Sequence, residues 1–226
     1  MYPHRIRLRG PWTLKTAAGT IVPVKIDDGS NAARLDPTAV PSPVQLCRRF
    51  SWLARLQAHE RLWLVLERSA VTSCALNGMA LGLTTVAERH QECEVTSLAQ
   101  RSNALALDLP AGQWQLGYPE VALEVRCRTF LRNAAWRIDT IDRRLEITGL
   151  LVGANETPLE LYARAGDVNV LYEVVYASQP CSPFRCRSEN IETPMDELTP
   201  IQIDLVKGGV IWHRVNGQLR PGNEAN

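Results

Sequence analysis

Apolar positions in this chain recur mostly at every second residue, the period of a half-buried β-strand. Leu105, Leu107 and Leu109 alternate with Ala104, Ala106 and Asp108, and Val121, Leu123, Val125 and Cys127 alternate with Ala122, Glu124 and Arg126. Leu62 to Leu66 is instead a continuous apolar run, which predicts a central strand covered on both faces with Trp63 in the core. Ile21 to Ile26 predicts a short strand, and Pro23, having no N–H to donate, places it at a sheet edge. Residues 27–45, rich in Asp, Ser, Asn and Pro, predict a long loop, and Leu46 to Phe50 resumes a strand. Asn77-Gly78 is the strongest hairpin signal, because both central residues of a type I′ turn need a positive φ. Residues 84–101 support a single helical turn at most.

A second series of strands begins after Arg132. Leu145, Ile147 and Gly149 alternate with Glu146 and Thr148, and Leu159 and Leu161 alternate with Glu160 and Tyr162. Val168, Val170, Tyr172, Val174 and Tyr176 form a long alternating strand with Glu173 on its other face. Ile201, Ile203 and Leu205 pair through Gly208-Gly209 with Val210 and Trp212. Short strands with turn signals every 8–12 residues predict a second sandwich. The stretch between the two series, TFLRNAAWR, has neither Pro nor Gly, so a stiff connection is expected.

Length narrows the options. The chain has 226 residues; two β-sandwiches of about 100 residues each fit, whereas a sandwich plus a (β/α)8 barrel of about 250 residues does not. The hydrophobic fraction is 45% and the formal net charge +1, which gives no drive toward nucleic acid or an anionic membrane. Arg5, Arg7 and Arg9 alternate with Ile6 and Leu8 and read as the wet face of one strand. No run reaches the 18 apolar residues of a membrane span, and MYPHRIRLRGPW lacks the apolar core of a signal peptide, so a cytoplasmic location is expected.

The six cysteines are then expected mostly as thiols, at least four of them free, with Cys74 and Cys127 as small buried hydrophobes. Cys181 and Cys186, separated by Ser-Pro-Phe-Arg, could meet across a turn, but a cytosolic thiol pool keeps such a pair reduced. His90 and Cys93 form the only close pair among the four histidines and six cysteines, without the spacing of a zinc site, so neither metal nor cofactor is expected. A calcium site built from loop oxygens would leave no such spacing. The chain contains no G-x-S-x-G, no Walker loop and no G-x-G-x-x-G. His59-Glu60-Arg61 reads as the polar start of a strand.

The pieces Arg49-Phe50, Leu76-Asn77-Gly78, Leu81-Gly82 and Val95-Thr96-Ser97-Leu98, in that order, resemble the sandwich that opens the chains of glycoside hydrolase family 2, the β-galactosidase and β-glucuronidase type. The resemblance implies an all-β fold of two consecutive sandwiches. The first, residues 1–130, would be a galactose-binding-like jelly roll; the second, residues 131–226, would be immunoglobulin-like and matches in strand rhythm alone. One departure stands out. Where the family carries a glycine-aromatic segment, this chain has LTTVAERHQECE (Leu83 to Glu94), which has neither. The family's catalytic glutamates lie in its barrel, so none carries over. Asn155-Glu156 imitates their N-E dipeptide inside the polar loop GANETP, and nothing pairs Glu156 with the second carboxyl that a glycosidase needs.

The expected function is therefore non-catalytic carbohydrate recognition or protein assembly. The rival is a hydrolase with an unfamiliar site between the two sandwiches, using His59 or His90. Sugar sites pair a flat aromatic face with hydrogen-bonding side chains. Trp52 lies in the loop after Phe50, and Trp114 in the loop AGQWQLGYPE; with Arg48 and Gln113 as polar neighbours they are the candidate carbohydrate contacts. The expected partners are a carbohydrate or another protein, with no nucleic acid and no membrane; the oligomeric state is left open.

Overall fold

The computed structural model describes residues 4–16, 19, 21–24, 44–68, 71–110, 119–139, 142–189, 191 and 199–219. Among them every regular element is a strand, and none is a helix long and apolar enough to cross a membrane. The chain divides into two compact units at Val125/Arg126.

The strands of the first part are β1 (Arg5–Arg7), β2 (Trp12–Thr16), β3 (Ile21–Val24), β4 (Val44–Ser51), β5 (Glu60–Glu67), β6 (Ser73–Leu76), β7 (Met79–Ala80), β8 (Thr84–Ala87), β9 (His90–Glu94), β10 (Ser102–Leu109) and β11 (Glu120–Cys127). They form a five-stranded sheet in the order β1-β11-β5-β9-β8 and a six-stranded sheet in the order β3-β2-β4-β10-β6-β7. Leu62, Leu64 and Leu66 of β5, Leu46 of β4, Leu105, Leu107 and Leu109 of β10 and Trp12 of β2 fill the core of this unit. The apolar alternation in β10 points these leucines inward, as the sequence predicts, and β3 lies at a sheet edge. Trp63 is the exception within the apolar run of β5: it is half-buried, on the face opposite Leu62 and Leu64.

Two motifs of the first unit are physically joined. The Asn77-Gly78 hairpin between β6 and β7 has φ values of 54° and 81°, as a type I′ turn requires. The Asn77 amide also donates to Leu98 O at 2.9 Å and to Asn103 Oδ1 at 3.1 Å, while its Oδ1 accepts from Ala104 N at 2.8 Å. Leu98 belongs to the Val-Thr-Ser-Leu turn, in which Ala99 N donates back to Val95 O at 3.0 Å, the single turn expected within residues 84–101. Thr96 Oγ1 accepts from Leu62 N at 2.9 Å and ties that turn to the central strand. The L-N-G and V-T-S-L pieces thus hold each other in place.

Three other local expectations change. Residues 84–94 form the β8–β9 hairpin, which turns through Arg89 at φ 59°. The turn carries no Gly or Asn, so its local chemistry does not announce it. β11 is buried on both faces from Val121 to Arg126, not half-buried, and its Glu124 receives the Arg5 guanidinium at 2.8 Å. Of the residues 27–45 expected as a loop, Val44 and Gln45 already belong to β4, and 27–43 lie outside the described residues.

The second unit comprises β12 (Phe130–Asp139), β13 (Arg144–Val152), β14 (Leu159–Ala165), β15 (Val168–Val175), β16 (Cys181–Arg187), β17 (Thr199–Lys207) and β18 (Val210–Leu219). Its sheets run β12-β13-β16 and β15-β14-β17-β18. Leu145, Ile147, Leu159, Leu161, Ile203, Leu205 and Trp212 build its core. In β15 the register to β14 sets Leu171 opposite Ala163 and Val175 opposite Leu159, so these two point inward while Tyr172, Val174 and Tyr176 are exposed. Both phases of β15 carry apolar residues, and the phase that also holds Asn169 and Glu173 is the one whose Leu171 and Val175 are turned inward by pairing.

Cys181 and Cys186 both lie in β16, five residues apart. An odd separation in a strand puts side chains on opposite faces, so the two cannot meet, and both are thiols like the other four cysteines. Burial pushes the Cys74 thiol up to about 12 and the Cys186 thiol up to about 11.

His213 of β18 is buried, with its ring 6.1 Å from that of Phe130. Burial, reinforced by the Arg126 guanidinium, pushes its imidazole down to about 4. In the unfolded chain the imidazole titrates at its ordinary value of about 6.5. As pH falls from 6.5 toward 4 the unfolded chain therefore binds a proton that the folded one refuses. Stability present above pH 6.5 is lost across this window, by about 3 kcal/mol at most. Urea unfolding at pH 7 and pH 4.5 tests this: His213→Gln is expected to flatten the difference, and an unchanged pH dependence in that variant would assign the effect elsewhere.

Candidate functional site

The outer face of the six-stranded sheet carries a groove of about 520 Å³. Strand register builds it. Thr13 and Lys15 of β2 lie opposite Cys47 and Gln45 of β4; Gln45, Cys47 and Arg49 lie opposite Asp108, Ala106 and Ala104 of β10; Asp108 and Ala106 lie opposite Ser73 and Ala75 of β6. Three rows therefore cross the strands. One is polar throughout: Lys15, Gln45, Asp108, Ser73. The next is small: Thr13, Cys47, Ala106, Ala75. The third sets Arg49 beside Ala104. Side chains of successive rows stand about 7 Å apart along a strand, so a row of small side chains between Lys15 and Gln45 on one side and Arg49 on the other leaves a trough.

The polar row is internally bonded. Gln45 Nε2 donates to Asp108 Oδ1 at 2.9 Å, the Ser73 hydroxyl donates to Asp108 Oδ2, and the Cys47 thiol donates to Gln45 Oε1 at 3.3 Å. Desolvation pushes the Cys47 thiol up, so it stands in the row as a neutral group rather than a thiolate nucleophile. The trough thus offers an ammonium, two guanidiniums and an amide around a floor of small side chains, with the Asp108 carboxylate bonded to its Gln45. Such a lining can donate to and accept from hydroxyl groups and contains no nucleophile with an adjacent base.

The four sequence candidates do not share one place. Arg48 of β4 lines the groove as well, with its guanidinium 5.6 Å from the Trp12 ring centre and donating to Arg9 O at 2.9 Å. Desolvation lowers its pKa. Trp52 is half-buried and packs against the core of the first unit, with its backbone N–H donating to Arg101 O at 3.2 Å. Gln113 and Trp114 lie outside the described residues. Trp12, which the sequence reading left without a role, is fully buried, and its indole N–H donates to Leu8 O at 2.9 Å.

Glu156 sits exposed in the turn after Gly153, where Asn155 donates to Thr157 O at 2.7 Å and accepts from the Lys207 ammonium at 3.0 Å. Among the described residues no group of three or more His, Cys, Asp or Glu side chains is arranged to hold a metal. His59-Glu60-Arg61 is the polar start of β5: Glu60 accepts from Gln57 N at 2.8 Å, and Arg61 pairs with Glu94 at 3.5 Å.

No family model matches the sequence, and no curated protein does. The fold, in contrast, is found in solved glycosidases. An FMN-binding β-glucuronidase from Facaelibacterium prausnitzii L2-6 superposes with a TM-score of 0.68 at 11% identity, over 97% of this chain and 39% of that one. A β-D-mannosidase from Dictyoglomus thermophilum gives 0.68 at 12% identity, over 96% and 36%. A β-glucuronidase from Bifidobacterium dentium gives 0.65 at 14%, over 97% and 48%. The resemblance read from the L-N-G and V-T-S-L pieces is thus matched by the fold. The chain spans less than half the length of the enzymes it resembles.

Proposed function

We propose that this chain is a non-catalytic carbohydrate-recognition module, a galactose-binding-like jelly roll over residues 1–130 followed by an immunoglobulin-like sandwich over 131–226. The observation that carries this reading is the trough on the six-stranded sheet, floored by small side chains, with Lys15, Gln45, Arg48 and Arg49 on its sides. A pyranose presents hydroxyls on its rim and C–H groups on its faces. The trough offers donors and acceptors for the first and methyl groups for the second. Fold likeness to less than half of each glycosidase agrees with an accessory role.

A glycan array on the purified protein, followed by calorimetry on the best neutral oligosaccharide, tests the proposal. Gln45→Ala and Arg49→Ala are each expected to weaken binding by about 0.5–1.5 kcal/mol, the net worth of a hydrogen bond, Arg49→Ala without lowering the melting temperature. Trp52→Ala is expected to do the reverse. It removes a side chain packed against the core, so stability falls by about 2–3 kcal/mol while affinity holds. Affinity lost with Trp52 and untouched by Gln45 and Arg49 would move the site to the loops, where Trp114 and Gln113 become its members.

Catalysis has its own check. Chromogenic β-galactosides, β-glucuronides and β-mannosides are expected to show no turnover above background. A rate abolished by Glu156→Gln would restore the hydrolase reading.

A further inference from the structure

Glu146 of β13 is a buried carboxylate on the outer face of the three-stranded sheet, and it holds three arginines. Register places it between Arg137 of β12 and Arg187 of β16, with Arg185 in the neighbouring row opposite Thr148. Oε1 accepts from Arg137 Nη2 at 2.9 Å and lies 3.3 Å from Arg185 Nη2, while Oε2 accepts from Arg187 Nε at 2.7 Å. The hydrogen bonds from Arg187 and Arg137 hold this carboxyl below the usual range, so it stays charged.

A structural ion pair does not need this stoichiometry. On the four-stranded sheet of the same unit, Asp204 takes one arginine, Arg214, through Nε at 2.6 Å and Nη2 at 2.8 Å. At Glu146 two further guanidiniums gather on the same carboxylate, leaving an excess of two positive charges. Their side chains remain 49%, 62% and 59% exposed for Arg137, Arg185 and Arg187. A guanidinium carries five N–H donors in a planar fork, so most donors of the three face solvent, held in place by one anchor. Arg187 also lines an open cleft of about 810 Å³ with Asn169, Tyr172 and the carboxylates Glu173 and Glu189, so the excess positive charge belongs to the sheet face around Glu146 and not to that cleft. Anchored forks with unspent donors suit a planar or tetrahedral oxyanion.

We propose that Arg137, Arg185 and Arg187, organised by Glu146, form a binding site for the oxyanion groups of an acidic polysaccharide, carboxylate or sulfate. The oxyanion follows from the arginines; the sugar that bears it rests on the reading of the chain as a carbohydrate module. This site is separate from the trough of the first unit, and different residues test each.

Calorimetry at about 50 mM salt, where screening is weak, compares polygalacturonate, a sulfated galactan, a neutral galactan and sodium sulfate. The full chain is expected to bind at least one acidic polymer, and which of the two binds names the group. Arg185→Gln is expected to weaken that binding at least tenfold at an unchanged melting temperature, and Arg187→Gln to weaken it at least tenfold as well. Arg185→Lys, which keeps the charge but not the fork, is expected to lose severalfold. Arg164→Gln, a cation of the other sheet, is expected to lose nothing. The site is refuted if neither acidic polymer binds, if inorganic sulfate alone binds, or if Arg164→Gln weakens binding as much as Arg185→Gln. It is also refuted if sedimentation at low salt shows the arginine variants abolishing self-association, which would make an acidic protein face the partner. Acidic-polymer binding that survives Gln45→Ala and Arg49→Ala upholds this site even if no neutral oligosaccharide binds. The opposite pattern removes it and leaves the trough.

Discussion

Gly153→Ala is expected to destabilise the second unit by about 3–5 kcal/mol, combining the cost of a left-handed conformation for an L-residue with that of overpacking. Gly153 sits at φ 93°, and a Cβ there would lie 1.9 Å from Arg128 O. That oxygen belongs to the backbone and cannot swing away. Gly153 also donates its N–H to Pro180 O at 2.8 Å and accepts from Thr129 Oγ1 at 3.1 Å, so shifting the turn breaks bonds on both sides. Gly166→Ala is the matched control: φ is 58°, but the nearest atom to its Cβ is Thr199 Cγ2 at 4.0 Å. Only the conformational cost of about 1–2 kcal/mol applies there. Urea unfolding of both variants measures the difference; equal losses would show that the contact with Arg128 relaxes without cost.

The second large effect is expected at Asn103, which is buried at 1% exposure. Its Oδ1 accepts from Gln100 N at 2.8 Å and from Asn77 Nδ2 at 3.1 Å, and its Nδ2 donates to Gln100 O at 2.6 Å. Asn103→Ala strips partners from three polar groups at once, for an expected loss of about 2–4 kcal/mol. Asn77→Gly keeps the turn's backbone freedom while removing the side chain that bonds Leu98, Asn103 and Ala104, so about 1–2 kcal/mol is expected. Because the two amides bond each other, the double variant should lose less than the sum, by about 0.5–1 kcal/mol. Strict additivity in that cycle would mean that the hairpin and the 95–103 segment are independent.

The period-2 alternation of Leu105, Leu107 and Leu109 and the continuous run at Leu62 to Leu66 determined strands and their buried faces from the sequence alone. A leucine's preference for the core needs no partner to be read. Asn77-Gly78 determined its hairpin because the φ requirement of the turn is written into those two residues. The odd spacing of Cys181 and Cys186 within a strand likewise separates the thiols as soon as the strand is recognised.

What depended on pairing was not legible. The β8–β9 turn passes through Arg89, a residue with no turn signature of its own. The more apolar face of β15 is the Val168, Val170, Tyr172 and Val174 one, yet β14 selected Leu171 and Val175 of the other for the core. Arg48 and Trp52 read as a polar and aromatic pair in sequence; the strands set the Arg48 guanidinium near Trp12 at the groove and pack the Trp52 indole against the core. The trough and the arginine site are likewise assembled across strands: Lys15 with Asp108, and Arg137 with Arg187, are distant in the chain and joined only by strand order. A strand declares its own two faces. Which face is covered, and which side chains from other strands share its rows, is settled only by the register of neighbours that local sequence does not encode.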